Sequence, residues 1–127
     1  MKRAAIYVKT DKRKYNYMNL LEFINEHEEW SNISTYMDYY GSEPNEYDKL
    51  IESAISGEID IIVTDSVARF GRDKKEFVRN MKLLMEHNVV VYFQQEQISS
   101  DDPHFPKVLD ALEKHEEGLE EYRAEFE

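Results

Sequence analysis

Apolar positions follow two alternating rhythms along most of this chain. Ala4, Ala5, Ile6 and Val8, then Ile59, Ile61, Ile62 and Val63, then Val89, Val90, Val91 and Phe93 form short apolar runs rich in β-branched side chains. Runs of this kind predict strands, and the run at 59–64 has the pattern of a strand buried on both faces of a parallel sheet. Between the runs, apolar residues recur at helical spacing. Tyr17, Leu20, Leu21 and Ile24 predict an amphipathic helix over residues 15–27. Tyr47, Leu50, Ile51, Ala54 and Ile55 predict a second, entered through Ser42 and Pro44 as a hydroxyl cap and first-turn proline and stopped at Gly57. Phe77, Met81 and Leu84 predict a third over residues 74–87. Ile33 to Met37 reads as a further short strand toward a sheet edge. Strands and helices that alternate with short connections predict an α/β fold: a mostly parallel sheet of four or five strands with helices on both faces.

The C-terminal segment changes rhythm. Asp101, Asp102 and Pro103 mark a helix start with its acids at the positive end, and Pro106 falls within the first turn. Val108, Leu112, His115, Leu119, Tyr122 and Phe126 then recur at spacings of 4, 3, 4, 3 and 4. This is a heptad seam whose one polar member is His115, opposite a glutamate-rich face. It predicts a long helix that packs on its own sheet or on another chain.

Composition narrows the chemistry. The 127 residues carry a net charge of −11, which argues against a free-standing, tight DNA binder, because nonspecific DNA affinity is mostly phosphate neutralisation. The distribution is uneven. Residues 1–14 hold Lys2, Arg3, Lys9, Lys12, Arg13 and Lys14 against Asp11 alone, a net of +5, whereas residues 101–127 hold three cations against ten acids, a net of −7. The basic cluster is expected beside the end of the first strand; an ordinary solvated loop is the other reading. The chain has no cysteine, in keeping with a reducing, cytoplasmic setting. The apolar run at its start is interrupted by Lys9, too soon for a signal segment or a membrane span. Its four histidines are scattered without metal-ligand spacing, and none accompanies a nucleophile. Neither G-x-G-x-x-G nor a Walker A loop occurs, so no cofactor is expected.

The segment Ile59–Arg72, IDIIVTDSVARFGR, carries the most specific chemistry. It is a buried-strand pattern that ends in Arg69 and Arg72, and open α/β sheets bind ligands beyond the carboxyl ends of their strands. Guanidinium forks match phosphate oxygens bidentately, so the pair reads as an anion site. On spacing alone, two solvated arginines ahead of a helix fit equally well.

This segment resembles the D-x-x-x-R-F/L-x-R element of serine site-specific recombinases, the resolvase/invertase family. Ala4–Lys9 resembles that family's first strand, A-x-Y-x-R-V-S, and Asp38–Ser42 resembles its D-x-x-S-G turn. Leu50 to Asp60 and Asn88 to Phe93 resemble the elements on either side of the arginines, so the likeness runs over about residues 3–100. The resemblance implies a three-layer resolvase-like domain over residues 1–100, with residues 101–127 as its long oligomerisation helix. It implies a site of Lys9, Thr10, Asp38, Arg69 and Arg72, with Lys9, Lys12, Arg13, Arg69 and Arg72 on DNA phosphate and Asp38 orienting an arginine. It also implies self-association through Val108, Leu112, Leu119, Tyr122 and Phe126, and pairing with active recombinases.

Four places depart from the family pattern. Asp11 stands where the nucleophilic serine belongs, two residues after the Lys9 that replaces an arginine. Thr10 is one residue early, and side chains alternate faces along a strand. Ala68 replaces the usual acid before the first arginine, and Pro44, Asn45, Glu46 and Tyr47 occupy the region where another arginine is expected. The readings that stay open are a recombinase-like domain with impaired catalysis, a non-catalytic regulatory module of the same fold, and an unrelated flavodoxin-like phosphate binder. Tyr36, Tyr39 and Tyr40 cluster near the same edge, either as stacking surfaces for nucleic acid or as half-buried packing.

Overall fold

A computed structural model of the chain describes residues 1–11, 18–41, 45–71 and 73–114. Its strands are β1 (Lys2–Thr10), β2 (Trp30–Tyr39), β3 (Ile61–Thr64), β4 (Val90–Phe93) and β5 (Ile98–Ser99). Its helices are α1 (Met18–Asn25), α2 (Asn45–Ile55) and α3 (Lys74–Glu86), and residues 105–114 form a further helix, α4. The strands make one sheet in the order β2-β1-β3-β4-β5. Every pairing is parallel except that of β5, which runs antiparallel to β4.

The apolar run of β1 is explained by its central place. Alternate side chains point to opposite faces of a strand. Ala5 and Tyr7 enter the core under α2, α3 and α4, while Ala4, Ile6 and Val8 enter the core under α1 with Leu20 and Ile24. The sheet is therefore covered on both sides, as the sequence predicts, and Ile61 and Ile62 divide between the two cores in the same way. The edge strand β2 is only half-buried along most of its length.

Three expectations need correction. β5 has no signal in the apolar pattern: it forms because the turn at 94–97 reverses the chain through Gln97, whose φ is +54°. Ser100 then fastens it, donating its N–H to the Val91 carbonyl and accepting the Val91 N–H on Oγ.

The basic N-terminal cluster is split. Lys2 and Arg3 open β1, at the end of the sheet opposite Lys9. There the Arg3 guanidinium donates to the Asp60 carboxylate at 3.1 Å and to the Gly57 carbonyl at 2.6 Å. Arg3's hydrogen bond holds the Asp60 carboxyl below its ordinary range.

The C-terminal helix shares only part of the predicted seam with its inward face. It begins at residue 105, after a turn in which Asp102 accepts the His104 N–H. Phe105 and Leu109 are buried and Leu112 packs beside them, whereas Val108 is 38% exposed. The three inward positions follow helical spacing onto the chain's own sheet. Lys82 of α3 ties the helix down through Glu113 at 2.6 Å. Leu119, Tyr122 and Phe126 lie outside the described residues. Among those described, no helix is long and apolar enough to cross a membrane.

Candidate functional site

Lys9 and Thr10 end β1, and Tyr7 pairs with Thr64, the last residue of β3. β1 thus runs on past β3, and the chain leaving β3 crosses the carboxyl edge of the sheet as Asp65, Ser66 and a 3₁₀ turn, Val67–Arg69. Lys9 and Arg69 accordingly come to one edge, as the sequence predicts. The Lys9 ammonium lies 5.2 Å from the ring centroid of the half-exposed Tyr40, a cation–π distance. The Arg69 side chain is 44% exposed, with Asp65 at 3.8 Å as its ion-pair partner. A long contact to one acid leaves the guanidinium fork open for an anion. Lys12, Arg13 and Arg72, the other predicted phosphate ligands, lie outside the described residues.

The residue after Arg69 is the anchor of the loop. Phe70 is 1% exposed and meets Tyr7, Tyr47, Phe77 and Phe93 edge-to-face, with centroids 5.2–6.4 Å apart. Aromatic edges and faces carry opposite partial charge, so these geometries are favourable beyond the buried area. Gly71 follows with φ at +108°, a region L side chains rarely adopt. An added Cβ would also meet the Tyr47 hydroxyl at 3.4 Å. The R-F-G order thus places an exposed guanidinium, a buried ring and a glycine-only turn in succession.

A second loop supports the first. The Gln94 N–H donates to the Thr64 carbonyl, and the Gln95 N–H to the Asp65 carbonyl. The Glu96 carboxylate accepts the Val67 N–H at 3.0 Å. Val67, Gly71, Glu96 and Leu112 share the wall of a groove of about 430 Å³ beside the arginine turn. Sequence reasoning missed this support, since Glu96 and Val67 are 29 residues apart and no periodicity links them.

Asp38 is a buried acceptor. It is 4% exposed, and it accepts the Tyr7 hydroxyl at 2.9 Å, the Glu46 N–H at 3.1 Å and the Tyr47 N–H at 2.9 Å. Its charge is spent on the N-terminus of α2, where the helix dipole favours an anion. Of the two arginines it is expected to orient, Arg69 pairs with Asp65 and Arg72 lies outside the described residues. Burial, and then the Asp38 charge and hydrogen bond, push the Tyr7 hydroxyl far above its ordinary range, so Tyr7 stays a neutral donor.

Thr10 is only 4% exposed, while Asp11 beside it is exposed. The tyrosines divide: Tyr36 packs half-buried against the core, Tyr39 donates to the Met37 sulfur at 3.3 Å, and Tyr40 is 50% exposed. Ala68 is exposed and offers no acid beside Arg69.

The family model of the resolvase N-terminal domain matches residues 9–124. No curated protein matches the chain in sequence. Among solved structures, a resolvase family site-specific recombinase from Streptococcus pneumoniae is similar with a TM-score of 0.79 at 14% identity, over 98% of this chain and 93% of that one. The N-terminal catalytic domain of TP901-1 integrase gives 0.77 at 18% identity, over 96% and 99% of the two chains. The first open reading frame of transposon ISC1904 from Sulfolobus solfataricus P2 gives 0.55 at 15% identity, over 74% and 67%.

Proposed function

The chain belongs to the resolvase N-terminal domain family, and from that premise we propose that it is a serine recombinase-like domain that binds DNA backbone phosphate without cleaving it. Family membership sets aside the flavodoxin-like binder of unrelated origin. The observation that carries the proposal is the state of the β1 terminus. Strand exchange by a serine recombinase needs an exposed hydroxyl to attack the phosphodiester, form a phosphoester with the protein and release a DNA hydroxyl. Thr10 is buried, and the exposed side chain that follows is the Asp11 carboxylate, which repels phosphate and attacks it poorly. Lys9 and Arg69 remain at the same edge, where fixed positive charge stabilises a bound oxyanion. Arg72, Lys12 and Arg13 join them in this reading by their place in the sequence.

Each charge-assisted contact contributes about 1.5–3 kcal/mol net of the water contacts it replaces. Binding of inorganic phosphate in the millimolar range is expected, with chemical-shift changes at Arg69 that vanish in Arg69→Ala. Suicide DNA substrates should give no covalent adduct by mass spectrometry. A phosphoester on Thr10, or on any other hydroxyl of the chain, would overturn the non-cleaving reading; phosphate shifts unaffected by Arg69→Ala would overturn the site.

A second reading, a module that pairs with another copy, is favoured by the exposure of Val108 on α4. Val108 is the exposed member of the sequence seam among the described residues, while Leu112 packs inward. Removing residues from Pro103 onward would also strip Phe105 and Leu109 from the core, so point changes are the better probe. Light scattering of the full chain should give a dimer mass that Val108→Glu and Leu119→Glu shift to monomer. A monomeric parent at high micromolar concentration rejects this reading.

A further inference from the structure

The 3₁₀ turn that presents Arg69 is missing its own cap. Ser66 occupies the N-cap position with extended backbone, the usual place for a hydroxyl that accepts the turn's free N–H, yet its side chain makes no cap bond. The free donor is satisfied from elsewhere: Glu96 Oε1 accepts the Val67 N–H at 3.0 Å. The loop that brings Glu96 there is held by Gln94 and Gln95, whose N–H groups bond the Thr64 and Asp65 carbonyls at 3.0 and 2.8 Å, and by the left-handed Gln97 at φ +54°. The chain just ahead of Arg69 is therefore stitched at three points, Thr64, Asp65 and Val67, to the β4–β5 turn.

From this we infer that Glu96 is a positioning residue for the phosphate site: it acts through the Val67 N–H to fix the turn that aims Arg69. The inference deepens the phosphate-binding reading and rests on it. The internal bonds of the turn are long for N–H···O contacts, 3.3 Å for Arg69 N–H to the Ser66 carbonyl and 3.2 Å for Phe70 N–H to the Val67 carbonyl. Phe70 anchors the far side of the turn in the core, and Glu96 anchors the near side. An exposed carboxylate in this place works against anion binding by its charge alone. Its place as the acceptor of the Val67 N–H is explained by geometry rather than by electrostatics.

That opposition of sign makes the test decisive. Glu96→Ala removes both the acceptor and the charge, and Glu96→Gln removes the charge while its amide oxygen still accepts. If Glu96 acted only as a charge, both variants would bind inorganic phosphate more tightly than the parent. A positioning role predicts that Glu96→Ala weakens phosphate binding about threefold to tenfold and that Glu96→Gln binds at least as tightly as the parent. In parallel, amide exchange at Val67, Arg69 and Phe70 should accelerate in Glu96→Ala and stay near the parent rate in Glu96→Gln. Phosphate affinity retained or raised in Glu96→Ala would overturn the inference, and so would unchanged protection of those three amides. If the parent shows no Arg69-dependent phosphate shifts, the phosphate reading fails, and the exchange rates alone then decide whether Glu96 positions the turn.

Discussion

Phe70→Ala should cost about 3–5 kcal/mol of folding stability, the range for a fully buried phenylalanine in a packed core. The expectation rests on its four ring partners, which come from β1, α2, α3 and β4 and all pack edge-to-face on this one side chain. Those partners are themselves fixed. Tyr7 is bonded to Asp38, Tyr47 accepts the Asn80 amide at 2.9 Å, and Phe93 stacks on Phe105 of α4 at 6.1 Å. They cannot collapse into the space, so a cavity remains. Thermal melting followed by circular dichroism should show a fall of roughly 10–20 °C for a domain of this size. Phe70→Leu, which keeps much of the volume, should lose less. The same change should loosen the arginine turn from its core side, so phosphate shifts at Arg69 should shrink in Phe70→Ala even well below the melting point. A stability loss under about 1 kcal/mol would mean that the ring cluster relaxes around the hole, and the anchoring role of Phe70 would be rejected.

The prominence of Phe70 shows what can be read from the sequence and what cannot. The strand within 59–64 and the placing of Arg69 just past it are legible, because a β-branched run closed by a cation is a local pattern. The burial of β1 on both faces was legible too, since alternation carries Ala5 and Tyr7 to one core and Ala4, Ile6 and Val8 to the other. The motif also pointed to Asp38, but not to its task, which depends on where α2 begins in space rather than on spacing. Helix α4 is legible in part: Leu112 of the seam packs inward, but so do Phe105 and Leu109, which the seam leaves out. Phe105 stands directly before Pro106, a position that disfavours helix, and so drops out of a seam counted from Val108. Its burial at 0% shows that tertiary packing overrode the local preference. β5 and Glu96 left no trace, because a two-residue edge strand has no period and a cap supplied from 29 residues away has no motif.

Asp38→Ala is the other change expected to act strongly, by stability and not by direct loss of a phosphate ligand. The carboxylate is buried and satisfies three donors at once: the Tyr7 hydroxyl and the N–H groups of Glu46 and Tyr47. Without it, the first turn of α2 loses its cap and a buried phenol loses its acceptor. Cap removal typically costs about 1 kcal/mol, and a buried donor left unsatisfied about 1–3 kcal/mol more. A total on the order of 3 kcal/mol is therefore expected in chemical denaturation, with Asp38→Asn milder because its amide oxygen still accepts. The ionisation of Tyr7 gives an independent signature. Burial raises it first, and the Asp38 charge adds to that. A phenol whose ionisation is raised by folding stabilises the fold below its unfolded value of about 10, and that contribution is lost as the pH climbs through the folded value. Asp38→Asn deletes the charge and keeps the burial, so Tyr7 should ionise at lower pH than in the parent while staying above the ordinary phenol range. Tyrosinate absorbance, read as the difference between each protein and its Tyr7→Phe derivative, isolates this one residue among nine tyrosines. A Tyr7 titration that does not move in Asp38→Asn, or an Asp38→Ala stability within about 1 kcal/mol of the parent, would show that the carboxylate is not what holds β1, β2 and α2 together behind the site.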